Sequence, residues 1–248
     1  MTPEDEARAL VRLLWRGRGA DSTAAKKGPR QRFTVDDVVD AAVRLADDRG
    51  LTAVTVRALA AQLGVSAMSV YTYVPTREVL VGLMVDAVAL RTPVPRAVGD
   101  LRADLAAVVR ARREEYLTHP WLMDVSGWRD VLGPGRLRRY ETQLTLFEGL
   151  PIDDVERDAL VTLLESYAAG SARSALGAEA VGAMSDAQWW QVVGPELASV
   201  MPASEFPLAG RVGTAVGERY EAPGSGVDGF EIGLAVLLDG VSSRVGGL

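Results

Sequence analysis

The chain of 248 residues contains no cysteine and a single histidine, His119. Without thiols there is no disulfide framework, thiolate metal site or thiol nucleophile, and one imidazole gives a zinc site or a catalytic triad little to be built from. No apolar run approaches the roughly 20 residues of a membrane span, and the acidic N-terminus lacks the basic-then-apolar order of a secretion signal. We expect a cytoplasmic protein with no membrane association, no cofactor and no bound metal.

Charge is unevenly distributed along the chain, whose net charge is −6. Residues 1–91 carry 13 Lys and Arg against 11 Asp and Glu, whereas residues 92–248 carry 14 against 22. A locally basic surface on an acidic protein suits a DNA-binding protein that must also dissociate.

Apolar residues recur at helical spacing over most of the chain, and no stretch alternates convincingly as a strand does, so the sequence predicts an all-α fold. Residues 201–227, rich in Pro, Gly and Ser, are predicted to form a loop or broken segment. The predicted helices lie at about 3–16, 35–49, 56–63, 67–73, 77–90, 98–118, 134–148, 152–176, 185–200 and 228–246.

Two breaks in the helical pattern divide the chain. Residues 17–32 are small, polar and basic, and Pro93 and Pro95 mark a second boundary. The expected units are an extra N-terminal helix with a flexible basic linker at 1–32, a first helical domain at 33–91 and a larger helical domain at 92–248.

Two short predicted helices, 56–63 and 67–73, are separated by only three residues, beginning with Gly64. Such a pair crosses steeply, so it requires a small residue at the crossing, here Ala60, and a turn residue tolerant of positive φ, here Gly64. The apolar residues that lock the pair are Leu59, Leu63, Val65 and Val70. The spacing predicts a helix-turn-helix, and a helix pair that serves only as scaffold is the alternative.

The second helix of this pair would enter the major groove of DNA. Ala67 and Met68 are suited to thymine methyl groups, whereas Ser69 and Thr72 can hydrogen-bond base edges or phosphate. Because this helix has no Arg, Lys, Asn or Gln, we predict that guanine is read by Arg57. The predicted DNA-contacting residues are Thr55, Arg57, Ser66, Ala67, Met68, Ser69, Tyr71, Thr72, Tyr73 and Arg77.

Within this set, Thr55, Tyr71 and Arg77 are predicted to bind phosphates, which position the module without reading sequence. For Tyr71 and Tyr73 the alternative is that one of the two packs into the core of the module. The basic linker either reaches a minor groove or stays solvated and flexible. Its basic residues are Lys26, Lys27, Arg30 and Arg32.

Aromatic residues are concentrated in the second domain, where large rings with a few polar groups suit a pocket for an apolar or aromatic ligand. The predicted ligand-binding residues are Trp121, Trp128, Tyr140, Gln143, Phe147 and Tyr167. Arg129, Glu165 and Ser166 are polar residues that would help to orient such a ligand. For each residue taken singly, ordinary packing in the core is the alternative.

Two segments are suited to a dimer interface: residues 152–176, a long stretch with several apolar side chains followed by small residues, and residues 230–241, which are nearly all apolar. Two such helices from each subunit would form a four-helix bundle. A dimer would also hold two recognition helices at the spacing of half-sites about 34 Å apart. The alternative is that both segments belong to the core of one subunit.

Residues 34–90 resemble the DNA-binding domain of the tetracycline-repressor (TetR) family of bacterial regulators. The resemblance rests on Leu-Thr at 51–52, Thr55 and Arg57, Leu-Ala at 59–60, Leu-Gly-Val at 63–65, Val-Tyr at 70–71 and the region of Leu80. The second domain resembles that of the tetracycline repressor more loosely, at His-Pro-Trp 119–121, Tyr-Glu-Thr 140–142, the long helix after Pro151 and residues 230–234.

The resemblance implies an all-α homodimer, a palindromic operator in double-stranded DNA, and a small effector in the second domain that loosens DNA binding. At Ala67 and Thr72 the tetracycline repressor has larger residues, which leaves the operator sequence open. His119 precedes Pro120 and is expected at a helix end, so chelated tetracycline is not the expected ligand. The resemblance places eight residues on DNA-contacting positions: Thr55, Arg57, Ala67, Met68, Ser69, Tyr71, Tyr73 and Arg77.

These features favour a ligand-responsive transcriptional repressor, in which the helix at 77–90 joins the two domains and tilts to change the spacing of the recognition helices. An activator, or a regulator that needs no ligand, is the alternative with the same module. An enzyme is disfavoured, because the sequence has no phosphate-binding Gly-rich loop, no metal cluster and no nucleophile beside a base.

Overall fold

The computed structural model describes residues 2–17, 33–125, 131–180 and 184–246 of the chain. Within these ranges there are α-helices and short 3-10 turns but no β-strand, which agrees with the predicted all-α fold. None of the helices in these ranges is long and apolar enough to cross a membrane. The helices are α1 (Pro3–Leu14), α2 (Val35–Arg49), α3 (Val56–Leu63), α4 (Ala67–Tyr71), α5 (Arg77–Arg91), α6 (Leu101–Thr118), α7 (Pro134–Thr145), α8 (Asp154–Ala180), α9 (Asp186–Val200), α10 (Pro207–Tyr220) and α11 (Gly226–Arg244).

Side-chain caps begin the helices of the N-terminal module. Thr34 and Asp37 form a capping box at the start of α2, and the hydrogen bonds from the Thr34 backbone and hydroxyl hold the pKa of the Asp37 carboxyl below its usual value. The hydroxyl groups of Thr55 and Ser66 begin α3 and α4 by accepting backbone amide hydrogen bonds of 3.2 Å. Local sequence therefore sets where these short helices start.

Helices α3 and α4 meet at Gly64, whose φ of 65° and ψ of 40° lie in the left-handed region that favours glycine. The amide of Val65 donates to the carbonyl oxygen of Ala60 at 3.0 Å, which closes the end of α3. Leu59 and Val70 are buried where the two helices cross. The predicted helix-turn-helix is confirmed.

One hydrophobic core unites α1, α2, α5 and the helix-turn-helix. Leu14 of α1 is buried in this core. Trp121, from the 3-10 turn Pro120–Asp124, is buried in the same core and donates its indole N–H to Asp47 of α2 at 2.7 Å. A side chain from beyond residue 92 therefore helps to build the core of the N-terminal half.

A second core lies between α6, α8 and α11. Leu105, Leu164 and Leu234 contribute one side chain from each helix, and Phe147 from the turn after α7 is fully buried among them. This core holds the C-terminal helices together beside the cavity described below.

The prediction of a loop or broken segment at 201–227 is wrong over much of its length, because α10 occupies Pro207–Tyr220. Two of its glycines, Gly210 and Gly217, pack closely on α9 or on the residue that ends it. A Cβ on Gly217 would clash with the indole of Trp190, and one on Gly210 would lie 3.3 Å from the methyl carbon of Met201. Glycine at these contacts lets two short helices approach each other, a role that composition alone does not distinguish from a loop.

Candidate DNA-binding face and ligand cavity

The side chains of α4 divide into a buried row and an exposed row. Val70 is buried against α3, whereas Met68 is 73% exposed and Tyr71 is 47% exposed. Tyr73, just beyond the helix, is half-buried and packs against the N-terminal core. Of the two tyrosines, Tyr73 thus packs the module and Tyr71 remains available at the surface.

Several hydroxyl groups of the predicted DNA-contacting set have structural hydrogen bonds. Thr72 lies beyond the last residue of α4, which is two residues shorter than predicted, and its hydroxyl donates to the carbonyl oxygen of Ser69 at 2.6 Å. The hydroxyl groups of Ser66 and Ser69 are 2.8 Å apart. Ala67 at the start of α4 and Arg57 in the first turn of α3 are both exposed.

Arg77 at the start of α5 points back toward the segment before α3. Its guanidinium donates to the carbonyl oxygens of Leu51 at 3.0 Å and Val54 at 3.3 Å. These carbonyls belong to a second 3-10 turn, Leu51–Ala53, and to Val54 that ends it, directly before the Thr55 cap of α3. The side chain therefore braces the helix-turn-helix, a role that sequence reasoning missed because it depends on the crossing of α5 over that turn.

A cavity of about 490 Å³ opens between α6, α7 and α8. Of the predicted ligand-binding residues, Tyr140 and Gln143 line it, as do Glu165 and Ser166 among the predicted orienting residues. Its lining also includes Tyr116, Leu132, Arg136, Leu137, Arg139, Asp158 and Val161. Apolar and polar groups thus line the same cavity, as in small-molecule sites.

A network of charged side chains adjoins this cavity, and its members Arg139, Gln143 and Glu165 line the cavity wall. Arg112 donates from Nε to Glu165 Oε2 at 2.6 Å, and its Nη1 lies 2.9 Å from Glu115 Oε1. Arg139 donates to the other oxygen of Glu115 at 2.6 Å, and Gln143 donates to Glu165 Oε1 at 2.9 Å. Each carboxylate is therefore held by two partners, as buried charges require.

The network sets the charge state of its members. Burial disfavours ionisation of Glu165, but the charge of Arg112 and the hydrogen bonds from Gln143 and Arg112 outweigh it, so the pKa of Glu165 is lowered. Burial raises the pKa of the Tyr116 hydroxyl. Arg112 and Glu115 were missed in the sequence, although they continue the apolar stripe of α6 at helical spacing. Charged residues on such a stripe are a usable signal of a buried pair.

The remaining predicted ligand-binding residues do not meet at this cavity. Trp121 and Phe147 are buried in the N-terminal and C-terminal cores, respectively. Tyr167 stacks on Phe230, donates its hydroxyl to the Phe230 carbonyl at 2.6 Å, and lines a separate cavity of about 940 Å³ beside α8 and α11. Some predicted site residues lie outside the described residues. They are Trp128 and Arg129 of the predicted ligand site and the basic linker residues Lys26, Lys27, Arg30 and Arg32.

His119 lies at the end of α6, as expected, with Nδ1 2.7 Å from Asp47 Oδ1. Over the part of the chain that the structure describes, no group of three His, Asp or Glu side chains is placed to hold a metal ion.

The outer faces of α8 and α11 carry exposed apolar side chains. On α8, Val155 is 80% exposed and Leu163 is 44% exposed. On α11, Ile232 is 62% exposed and Val236 is 66% exposed. Both helices also bury their opposite faces in the C-terminal core, so each of the two predicted interface segments has a core side and a free apolar side.

Comparison with known proteins finds two matching family models. The one described as "Bacterial regulatory proteins, tetR family" matches residues 38–84, and "Tetracyclin repressor-like, C-terminal domain" matches residues 93–245. The HTH-type transcriptional repressor DrrR1 of Streptomyces coeruleorubidus is 35% identical over 246 residues, which cover 97% of this chain and 87% of DrrR1.

Solved structures with the same fold include ActR of Streptomyces coelicolor. Apo ActR superposes with a TM-score of 0.73 at 24% identity, covering 88% of this chain and 99% of ActR. ActR in complex with actinorhodin gives a TM-score of 0.72 at 24% identity, covering 87% of this chain and all of ActR. At this identity the likeness establishes the fold.

Proposed function

The chain belongs to the TetR family of bacterial transcription regulators, and we propose that it represses transcription as a homodimer on a palindromic operator until a small molecule releases it. As a member of this family it is a DNA-binding transcription factor and not an enzyme. A regulator that binds bacterial DNA would act in the cytoplasm, and we propose that location for this chain.

The exposed face of α4 is the observation that carries the DNA-binding proposal. Met68 is a large apolar side chain that is mostly exposed, on a helix that Ser66 caps and that buries Val70 on its other side. A rigid helix with an exposed apolar tip suits the major groove, where thymine methyl groups supply an apolar partner. Arg57 at the start of α3 adds the bidentate donor that α4 lacks.

The free apolar sides of α8 and α11 support the homodimer. Pairing Ile232 and Val236 with their copies, and with the exposed side of α8, would complete a four-helix bundle. Such an interface would fix the distance between the two α4 helices, and a palindrome with half-sites about 34 Å apart would match it.

The cavity between α6, α7 and α8 supports the effector. ActR binds actinorhodin and (S)-DNPA in solved complexes, so small-molecule binding is compatible with this fold. Here the tyrosines and the apolar wall suit an apolar or aromatic ligand, and the polar side chains would orient its polar groups. To shift the protein from 99:1 to 1:99 in favour of the released state, the effector must bind that state more tightly than the DNA-bound state by about 5.5 kcal/mol.

Selection from random-sequence DNA, followed by footprinting, tests the operator. We expect one palindrome, bound by wild type and by Arg44→Ala, which removes an exposed charge from α2 of the same module. Arg57→Ala should lose the selected preference. Absence of any selected sequence, with no DNA binding even at low salt, would overturn the proposal.

A thermal-shift screen of apolar and aromatic compounds tests the cavity. Compounds that stabilise the wild type should lower operator affinity, and Ala169→Trp, which fills the cavity, should abolish their binding. Compounds that stabilise Ala169→Trp equally bind elsewhere and would contradict the assignment of this cavity.

A further inference from the structure

Helix α1 lies outside both segments matched by the family models, yet it is built into the core. It crosses α5 at Gly82, where a Cβ would come within 2.7 Å of Leu10 Cδ1, and it buries Leu14. Glycine thus permits a close helix crossing. The 12 residues of α1 form a rigid rod about 18 Å long.

One end of α1 contacts the start of α5. The hydroxyl of Thr76 donates to the carboxylate of Glu6 and accepts the backbone amide of Val79 at 3.1 Å, so the residue that caps α5 is held by α1. Thr76 also lies next to Arg77, whose guanidinium braces the segment before α3. This end of α1 is therefore tied to the DNA-binding module.

The other end of α1 contacts the wall of the ligand cavity. Trp15, which follows the last residue of α1, donates its indole N–H to the carbonyl oxygen of Leu132 at 2.9 Å. Leu132 and Val131 line the cavity, and Val131 also packs against the N-terminal core. Beside Trp15, Arg16 forms an ion pair with Asp36 at the start of α2, which anchors this end as well.

We propose that α1 couples the cavity wall to the DNA-binding module, with Trp15 and Glu6 as positioning residues at its two ends. A ligand that displaces residues 131–132 would shift Trp15 through its hydrogen bond to Leu132. Because α1 is a rigid helix, this shift would also move Glu6, and with it Thr76 at the start of α5. The inference rests on the proposed effector cavity. By reciprocity, operator binding must then alter the cavity wall, so the coupling can be measured with DNA alone.

Hydrogen exchange of backbone amides at 131–137 tests this coupling in the full-length protein, with and without the operator duplex obtained by selection. We expect operator binding to change exchange there by about fivefold or more in wild type, the lower end of allosteric couplings. Trp15→Phe keeps an aromatic ring but removes the indole donor. Since α5 also contacts α7 directly, Trp15→Phe should reduce the change without abolishing it.

Glu6→Ala removes the hydrogen bond to Thr76 at the opposite end of α1. It should also reduce the operator-dependent change in exchange at 131–137, although residue 6 is far from the cavity in sequence. Trp189→Phe, on α9, is the matched control and should behave as wild type. If operator binding changes exchange at 131–137 as much in Trp15→Phe and in Glu6→Ala as in wild type, the coupling role of α1 is overturned. The proposed effector cavity is not contradicted by that result. No operator-dependent change in wild type would overturn control from this cavity, and the coupling with it.

Discussion

The buried carboxylate of Asp86 in α5 accepts a hydrogen bond from the backbone amide of Gly135 in α7 at 2.9 Å. The same oxygen accepts the amide of Arg136, also at 2.9 Å. A Cβ on Gly133 or Gly135 would clash with Asp86, so the two glycines are needed for this approach. Asp86 of α5 thus caps the start of α7, the helix that supplies much of the cavity wall.

Asp86→Ala should destabilise the protein by about 2 kcal/mol, because it leaves two amide donors at a buried helix start without their acceptor. The midpoint of urea unfolding measures this loss. Asp86→Asn, which keeps an acceptor oxygen in place, should lose less. Equal stability of Asp86→Ala and wild type would show that the cap contributes nothing.

The helix-turn-helix could be predicted because its determinants are local. Gly64 supplies the left-handed turn, and Thr55 and Ser66 cap helices that start one residue later. Each of these features acts within a few residues of chain, so it can be predicted without knowledge of the tertiary structure.

The cavity lining could be predicted only in part, because aromatic side chains suit a core and a pocket equally well. Tyr140 lies within α7 and Phe147 lies just after its end, yet only Tyr140 lines the cavity. The pairing of Arg112 with Glu165 depends on how α6 packs against α8, which joins residues distant in sequence. A charge on the apolar stripe of α6 signals a buried residue, but which residue it pairs with follows from tertiary packing.

Arg77→Met should lower both stability and operator affinity, because it removes the donor that holds the Leu51 and Val54 carbonyls. Hydrogen bonds from charged groups contribute about 1.5–3 kcal/mol, and partial exposure favours the lower figure. The slope of log affinity against log salt concentration should stay unchanged, whereas loss of a phosphate contact reduces it by about 1.

Fluorescence anisotropy at several salt concentrations measures that slope, with Arg44→Met as the control for removal of an exposed charge from the module. A reduced slope at unchanged stability would instead support the phosphate contact predicted from sequence for Arg77.

Arg57→Ala should cost about 1–3 kcal/mol of operator affinity and relax preference at one base pair in each half-site. The reason is that α4 offers no bidentate donor for guanine, whereas Arg57 is exposed at the start of α3. Binding to a set of single-base operator variants measures the effect. A uniform loss across all variants would make Arg57 a phosphate contact.

Glu165→Gln should destabilise the protein by about 3 kcal/mol near neutral pH, because it leaves the buried guanidinium of Arg112 with one charged partner, Glu115. Asp158→Asn is the matched control on α8. Its exposed carboxylate accepts the hydroxyl of Tyr140, and its loss should have a much smaller effect.

The same variant should change the dependence of stability on pH. The pKa of Glu165 is lowered from an ordinary value of 4.5, so its ionised form stabilises the folded state above that value. This contribution is lost as pH falls below 4.5 through the lowered pKa of the folded state. The difference in unfolding free energy between wild type and Glu165→Gln should therefore shrink on acidification. A constant difference across this range would mean that Glu165 ionises no more readily in the folded protein than in the unfolded chain.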